Sequence, residues 1–202
     1  MFGIKAIWIV ALASAMMYVT RYAINSWGIL YLQEARGFSL TEAAFFLSIN
    51  TFAGIFGSIA YGFISDNFFN ARRPPANLIF AIVEIGALLI IFYGPTNEWI
   101  QILAFMCYGF TLSGLMASLG GLFAVDIAPK GATGAAMGFV GIFSYLGAAI
   151  QENISASLIS KNIQVIENVR VYNFDDVIIF WIGSSVISLL LAVSLWNTKT
   201  IK

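Results

Sequence analysis

Residues 5–32 read KAIWIVALASAMMYVTRYAINSWGILYL, an apolar run broken by a single internal charge, Arg21. A helix needs roughly 20 mostly apolar residues to cross a bilayer, so this run is a spanning segment. Arg21 lies 16 residues after Lys5, about 24 Å along a helix at 1.5 Å per residue. That depth is well inside the hydrocarbon, where a guanidinium costs several kcal/mol unless a cavity or partner receives it. Its polar neighbours form a stripe. Ser14, Tyr18, Arg21, Tyr22 and Asn25 share one helical face. Such a stripe belongs against the bundle interior or water, away from lipid.

Five further spans follow outward from this one: about 41–65, 76–93, 97–124, 132–160 and 175–196. The second opens on Ser39, with Glu42 three residues later, the pattern of a capping box. The third lies between Arg72-Arg73-Pro74-Pro75 and Gly94-Pro95. The longest polar connection, about 161–174, separates the last two spans. Composition agrees: 60% of residues are hydrophobic, 10% are charged and mean hydropathy is +0.88, whereas soluble domains carry about 25% charged residues. The fold class is an all-α membrane protein of six helices. Ala11-Leu12-Ala13-Ser14-Ala15 imitates a signal-peptide cleavage site, but the apolar stretch continues past it and more spans follow.

Formal net charge is zero and the chain has no histidine. No basic surface argues for nucleic acid, and histidine-based metal, triad and proton-relay chemistry has no residues to use. The lone Cys107 reads as a buried packing thiol. No nucleophile–base pair, metal cluster or phosphate loop stands out, so an enzyme, a cofactor and a metal are not expected.

Lysine and arginine counts orient the bundle. With Met1 on the cytoplasmic side, that side holds Lys5, Arg72, Arg73, Lys130, Lys199 and Lys202, against Arg36, Lys161 and Arg170 opposite. Both termini are therefore expected inside. Phe52-Ala53-Gly54-Ile55-Phe56 is echoed 87 residues later by Phe139-Val140-Gly141-Ile142-Phe143. With repeat units of about 1–94 and 95–202, the echoed helices run in opposite directions, as in an inverted three-plus-three repeat. Gly54 with Gly57, Gly109 with Gly114, Gly120 and Gly121, and Gly134 with Gly138 and Gly141 read as close helix packing.

Arg21 has two readings: an interior ion pair that locks packing, or an anion site. A guanidinium is permanently charged and forks onto phosphate or carboxylate oxygens. Tyr18, Tyr22 and Asn25 would add neutral donors, and nothing on this face is acidic. Glu152, on a face with Gly141, Tyr145, Ala148 and Ser155, would pair with Arg21, bind a substrate hydroxyl or carry a proton. Glu84 reads as structural.

The stretch Tyr18-Val19-Thr20-Arg21-Tyr22-Ala23-Ile24-Asn25-Ser26-Trp27-Gly28 resembles the seventh helix of the organophosphate:phosphate antiporters of the major facilitator superfamily. The resemblance continues through Ala53–Gly57, Gly62–Asp66 with Arg72 and Arg73, Ala128-Pro129-Lys130 and Gly138–Gly147, and covers nearly the whole chain. It implies one carboxy-terminal half of a twelve-helix carrier that exchanges a phosphorylated organic anion, hexose 6-phosphate above glycerol phosphate, for inorganic phosphate by alternating access. It implies that Arg21 clamps phosphate together with an arginine from an amino-terminal six-helix half, helped by Tyr18 and Tyr145, and that Asp66, Arg72 and Arg73 brace a cytoplasmic gate. The expected location is a bacterial inner membrane. Two other readings stay open: a sugar-phosphate sensor, and a truncated, non-transporting remnant.

Overall fold

The computed structural model describes residues 4–166 and 169–198. Lys199 and Lys202, used in the charge count, lie outside them, as does Met1. Six helices are long and apolar enough to cross a membrane: Lys5–Glu34, Leu40–Phe68, Arg73–Tyr93, Glu98–Ile127, Lys130–Lys161 and Asp175–Ser194. Each expected span is present. The third begins three residues early, because prolines in a first turn lack only N–H groups that would be unpaired there anyway, and Pro74 and Pro75 fall in that turn. The Ser39–Glu42 capping box forms in both directions. The 161–174 connection contains a short antiparallel hairpin, Gln164–Ile166 with Val169–Val171.

Helix lengths run 30, 29 and 21 residues in the first three spans and 30, 32 and 20 in the last three. The first and fourth helices each contain a π-helical turn, at Ala23–Trp27 and at Ser118–Leu122. The first helix packs on the fifth and sixth, the fourth on the second and third, and the third on the sixth. Trp181, Tyr61, Tyr108, Phe46, Phe105 and Phe123 are fully buried between them. The second and fifth helices are the least buried, and Phe52, Ile55, Phe56, Ile59 and Phe63 of the second are exposed. In lipid such side chains need no protein cover.

The glycines divide into two sets. A Cβ on Gly57 would come within 2.7 Å of Phe110 Cα, one on Gly109 within 2.7 Å of the Asn50 carbonyl carbon, and one on Gly147 within 2.9 Å of the Ala15 carbonyl carbon. These are backbone-on-backbone crossings that only glycine admits, as small residues do in membrane bundles. Gly54 and Gly114 are likewise hemmed in, by Ser113 and by Phe80. Gly120, Gly134, Gly138 and Gly141 have nothing within 4 Å of an added Cβ. Packing within the described chain therefore does not account for this second set, which corrects the expectation for it. Gly57→Ala and Gly109→Ala are expected to lower the melting temperature in detergent by several degrees. Gly86→Ala, where an added Cβ also meets open space, is expected to leave it unchanged or raise it, since alanine favours helix by about 1 kcal/mol.

Cys107 is exposed, which corrects its reading as a buried thiol. It borders an apolar groove of about 700 Å³ between the second, third and fourth helices, lined by Phe52, Phe56, Val83, Met106 and Phe110 among others.

Candidate functional site

The first helix carries the site. Up to Tyr22 it is regular, and the wider π turn then begins at Ala23. The Arg21 guanidinium lies 5.3 Å from the Tyr18 ring centre and 5.5 Å from that of Tyr22. The two rings stack at 6.1 Å, and Tyr145 of the fifth helix meets Tyr18 edge-on at 5.7 Å. Tyr18, Arg21 and Tyr22 are half-buried, whereas Tyr145 is 62% exposed. A cation over aromatic faces gains about 0.5–2 kcal/mol, far less than a guanidinium loses on leaving water. Rings alone therefore do not satisfy it.

Among the described residues no carboxylate lies within ion-pair distance of Arg21. The ion pairs are those of Arg73 with Asp66 and with Asp126. Within the described residues neither an interior ion pair of Arg21 nor its pairing with Glu152 is formed. The Glu152 carboxylate accepts instead from the Ser26 hydroxyl and from Trp27 Nε1 at 3.0 Å. Both donors belong to the π turn. There each backbone N–H reaches one residue further back, so the helix phase slips. Ser26 and Trp27, outside the polar stripe on a regular wheel, thereby come to face the fifth helix.

The stripe divides along its length. Ser14 is buried and bonded to Ser144 at 2.7 Å, so it fastens the first helix to the fifth. Tyr18, Arg21 and Tyr22 are half-buried, and Asn25 is exposed. Ser155 does not share the surface of Glu152. It is buried, accepting from Trp181 Nε1 at 2.9 Å and from Gln151 Nε2 at 3.0 Å.

A second charged cluster sits at one end of the bundle. Arg73 heads the third helix with its side chain almost wholly covered. Its Nη1 donates to Asp66 Oδ1 and to Ser65 Oγ, each at 3.0 Å, and its Nε to Asp126 Oδ2 at 2.7 Å. The ends of the second, third and fourth helices are joined there. Arg72 only caps the helix and donates to the Trp196 carbonyl at 3.4 Å. Arg36 donates to the carbonyls of Phe92 and Gly94, tying the far end of the first helix to that of the third.

The sequence model of the Major Facilitator Superfamily matches residues 1–151. The chain is 32% identical over 195 residues to a glycerol-3-phosphate transporter of Bacillus subtilis (strain 168), covering 96% of this chain and 42% of that protein. It is 38% identical over 148 residues to the membrane sensor protein UhpC of Salmonella typhimurium, covering 71% and 33%. It is 32% identical over 151 residues to the hexose-6-phosphate:phosphate antiporter of Escherichia coli (strain K12), covering 70% and 30%. The chain thus spans less than half the length of these relatives.

Proposed function

Since the chain belongs to the Major Facilitator Superfamily, with glycerol-phosphate and hexose-phosphate carriers and a sensor among its relatives, we propose that it is the carboxy-terminal half of an organophosphate:phosphate antiporter. In this reading Arg21 is the phosphate anchor. The supporting observation is a guanidinium that meets no carboxylate among the described residues, on the open, tyrosine-lined face.

Charge balance supports the rest. A phosphate monoester carries about −1.5 to −2 at pH 7, and Arg21 supplies +1. Arg36 and Arg73 are engaged elsewhere. A second cation has to come from an amino-terminal six-helix half seated on this face, with both halves rocking about the site. An empty site would carry bare positive charge through the membrane, at several kcal/mol or more. Reorientation therefore favours a loaded site in both directions, which is exchange. The paired helix lengths and the two π turns suit repeat units of about 1–94 and 95–202. The basic ends support a reading with both termini on the cytoplasmic side of a bacterial inner membrane.

Hexose 6-phosphate is the proposed cargo. Ser26 lies five residues beyond Arg21, about 7 Å along the helix. A hydroxylated body of that reach meets Asn25, Ser26 and Glu152, where a carboxylate accepts from sugar hydroxyls. Glu152→Gln is then expected to raise KM for glucose 6-phosphate about tenfold while leaving KM for inorganic phosphate within twofold. Equal rises in both would remove Glu152 from the sugar site.

The test is reconstitution of the chain with an amino-terminal half in liposomes loaded with inorganic phosphate. Uptake of labelled glucose 6-phosphate against phosphate efflux is expected, and its absence with a folded, assembled protein would overturn the proposal. The resemblance to a sensor favours one second reading, binding of the same ligand without transport. Saturable sugar-phosphate binding with no flux would establish it.

A further inference from the structure

Glu84 lies far from the open face yet connects to the turn that carries Arg21. The residue is buried in the third helix. The Ser185 hydroxyl of the sixth helix donates to its Oε1 at 2.8 Å. Ser185 Oγ in turn lies 2.8 Å from Thr20 Oγ1, and Thr20 precedes Arg21. A hydroxyl has one proton to give. With that of Ser185 committed to the carboxyl group, Thr20 must donate, either to Ser185 or to the Trp181 carbonyl at 3.2 Å. Where Thr20 donates to Ser185, the chain runs from Thr20 to Ser185 to Glu84 and Glu84 is its terminal acceptor.

The backbone of Thr20 is held as well. Tyr108 of the fourth helix, fully buried, donates its hydroxyl to the Thr20 carbonyl at 3.1 Å. The Ala23 N–H reaches the same carbonyl at the point where the helix widens into its π turn. Side chain and carbonyl of one residue are thus fixed by two other helices, the sixth and the fourth, at the step where a regular helix would otherwise be free to re-register. Beside Glu84 lies a void of about 10 Å³ walled by Met17, Leu115, Ser185 and Ser188 among others, at most enough for a single water. No cargo reaches the carboxyl group, so it acts on the protein alone.

We infer that Glu84 is a positioning residue for Arg21: through Ser185 and Thr20 it fixes the rotation of the first helix at the mouth of the π turn and so aims the guanidinium at the open face. The inference rests on the reading of Arg21 as the phosphate anchor. It requires an acceptor at position 84, and a negative charge is not needed. Glu84→Gln keeps an acceptor oxygen, Glu84→Leu keeps the volume without one, and Thr20→Val removes the first hydroxyl with little change of shape.

In the reconstituted two-half protein, KM for inorganic phosphate is expected to rise about tenfold in Glu84→Leu and in Thr20→Val, with maximal exchange rate changed less than twofold. Glu84→Gln is expected to stay within twofold of the parent on both. A core defect alone would lower the amount of active protein, and hence the maximal rate, with KM unmoved. Labelling of Arg21 by the arginine reagent phenylglyoxal, followed by mass spectrometry of the purified chain, is independent of transport. Its rate is expected to change severalfold in Glu84→Leu and Thr20→Val and to stay at the parental value in Glu84→Gln. Parental labelling in both apolar variants overturns the inference. So does a glutamine variant as impaired as the leucine one. Altered labelling together with no phosphate exchange in the parent keeps the positioning role and overturns the transport reading instead.

Discussion

Arg21→Ala and Arg21→Lys are both expected to reduce phosphate exchange by at least about thirtyfold. Losing one partner of a desolvated, hydrogen-bonded charge pair costs about 2–5 kcal/mol, roughly 30-fold to several thousand-fold in kcat/KM. Lysine keeps the charge, but it replaces a planar fork that grips two phosphate oxygens with a single strongly hydrated point. Substitution is not expected to harm the fold. Arg21 makes no ion pair among the described residues, and its ring contacts with Tyr18 and Tyr22 are worth about 1 kcal/mol at a part-exposed site. Melting temperature in detergent should therefore stay within a few degrees of the parent while exchange disappears. Exchange retained in either variant removes Arg21 from the phosphate site, and equal loss of stability and exchange makes it structural.

The six spans and the capping box were legible because each follows from local rules. Hydrophobic length sets a span, Ser39 and Glu42 are close in sequence, and a deep charge is conspicuous wherever its helix packs. What stayed hidden depends on phase or on distant partners. A regular wheel sets Ser26 and Trp27 aside from the polar stripe, and only the π turn carries them to Glu152. The sequence offers no marker for that turn. Asp126 was legible as a helix end but not as a partner of Arg73, which lies 53 residues earlier. Glycine spacing identified Gly57 and Gly109 correctly, yet the same spacing at Gly134, Gly138 and Gly141 meets open space. Periodicity reports which residues share a face without reporting what lies opposite.

The Arg73 cluster shows how exposure decides between two nearly equal bonds. Arg73→Met keeps the stem of the side chain and removes the charge, leaving Asp66 and Asp126 at the ends of two helices with no cation between them. The two arms differ in surroundings. Asp66 is 57% exposed and Asp126 only 26%, so water and salt screen the first pair far more than the second. The Asp126 bond is also shorter, 2.7 Å against 3.0 Å. Asp126→Asn is therefore expected to cost clearly more stability than Asp66→Asn. A double-mutant cycle of Arg73→Met with Asp126→Asn should give a coupling of about 1–3 kcal/mol, against less than about 1 kcal/mol for the Asp66 cycle. The strained turn between the second and third helices adds to the single-variant loss. Ala71 sits at φ +60°, a left-handed conformation that costs a non-glycine residue about 1–2 kcal/mol, and it persists where its flanking helices are pinned by Arg73. Thermal unfolding of the three single and two double variants in detergent at low and high salt measures all of these terms. If Arg73 braces the closed cytoplasmic end, Arg73→Met also opens that end, and a thiol reagent reaches a cysteine placed at Ser65 faster than in the parent. A larger coupling to Asp66 than to Asp126, or unchanged thiol reactivity, shows instead that the cluster only ties helix ends together and bears no gate.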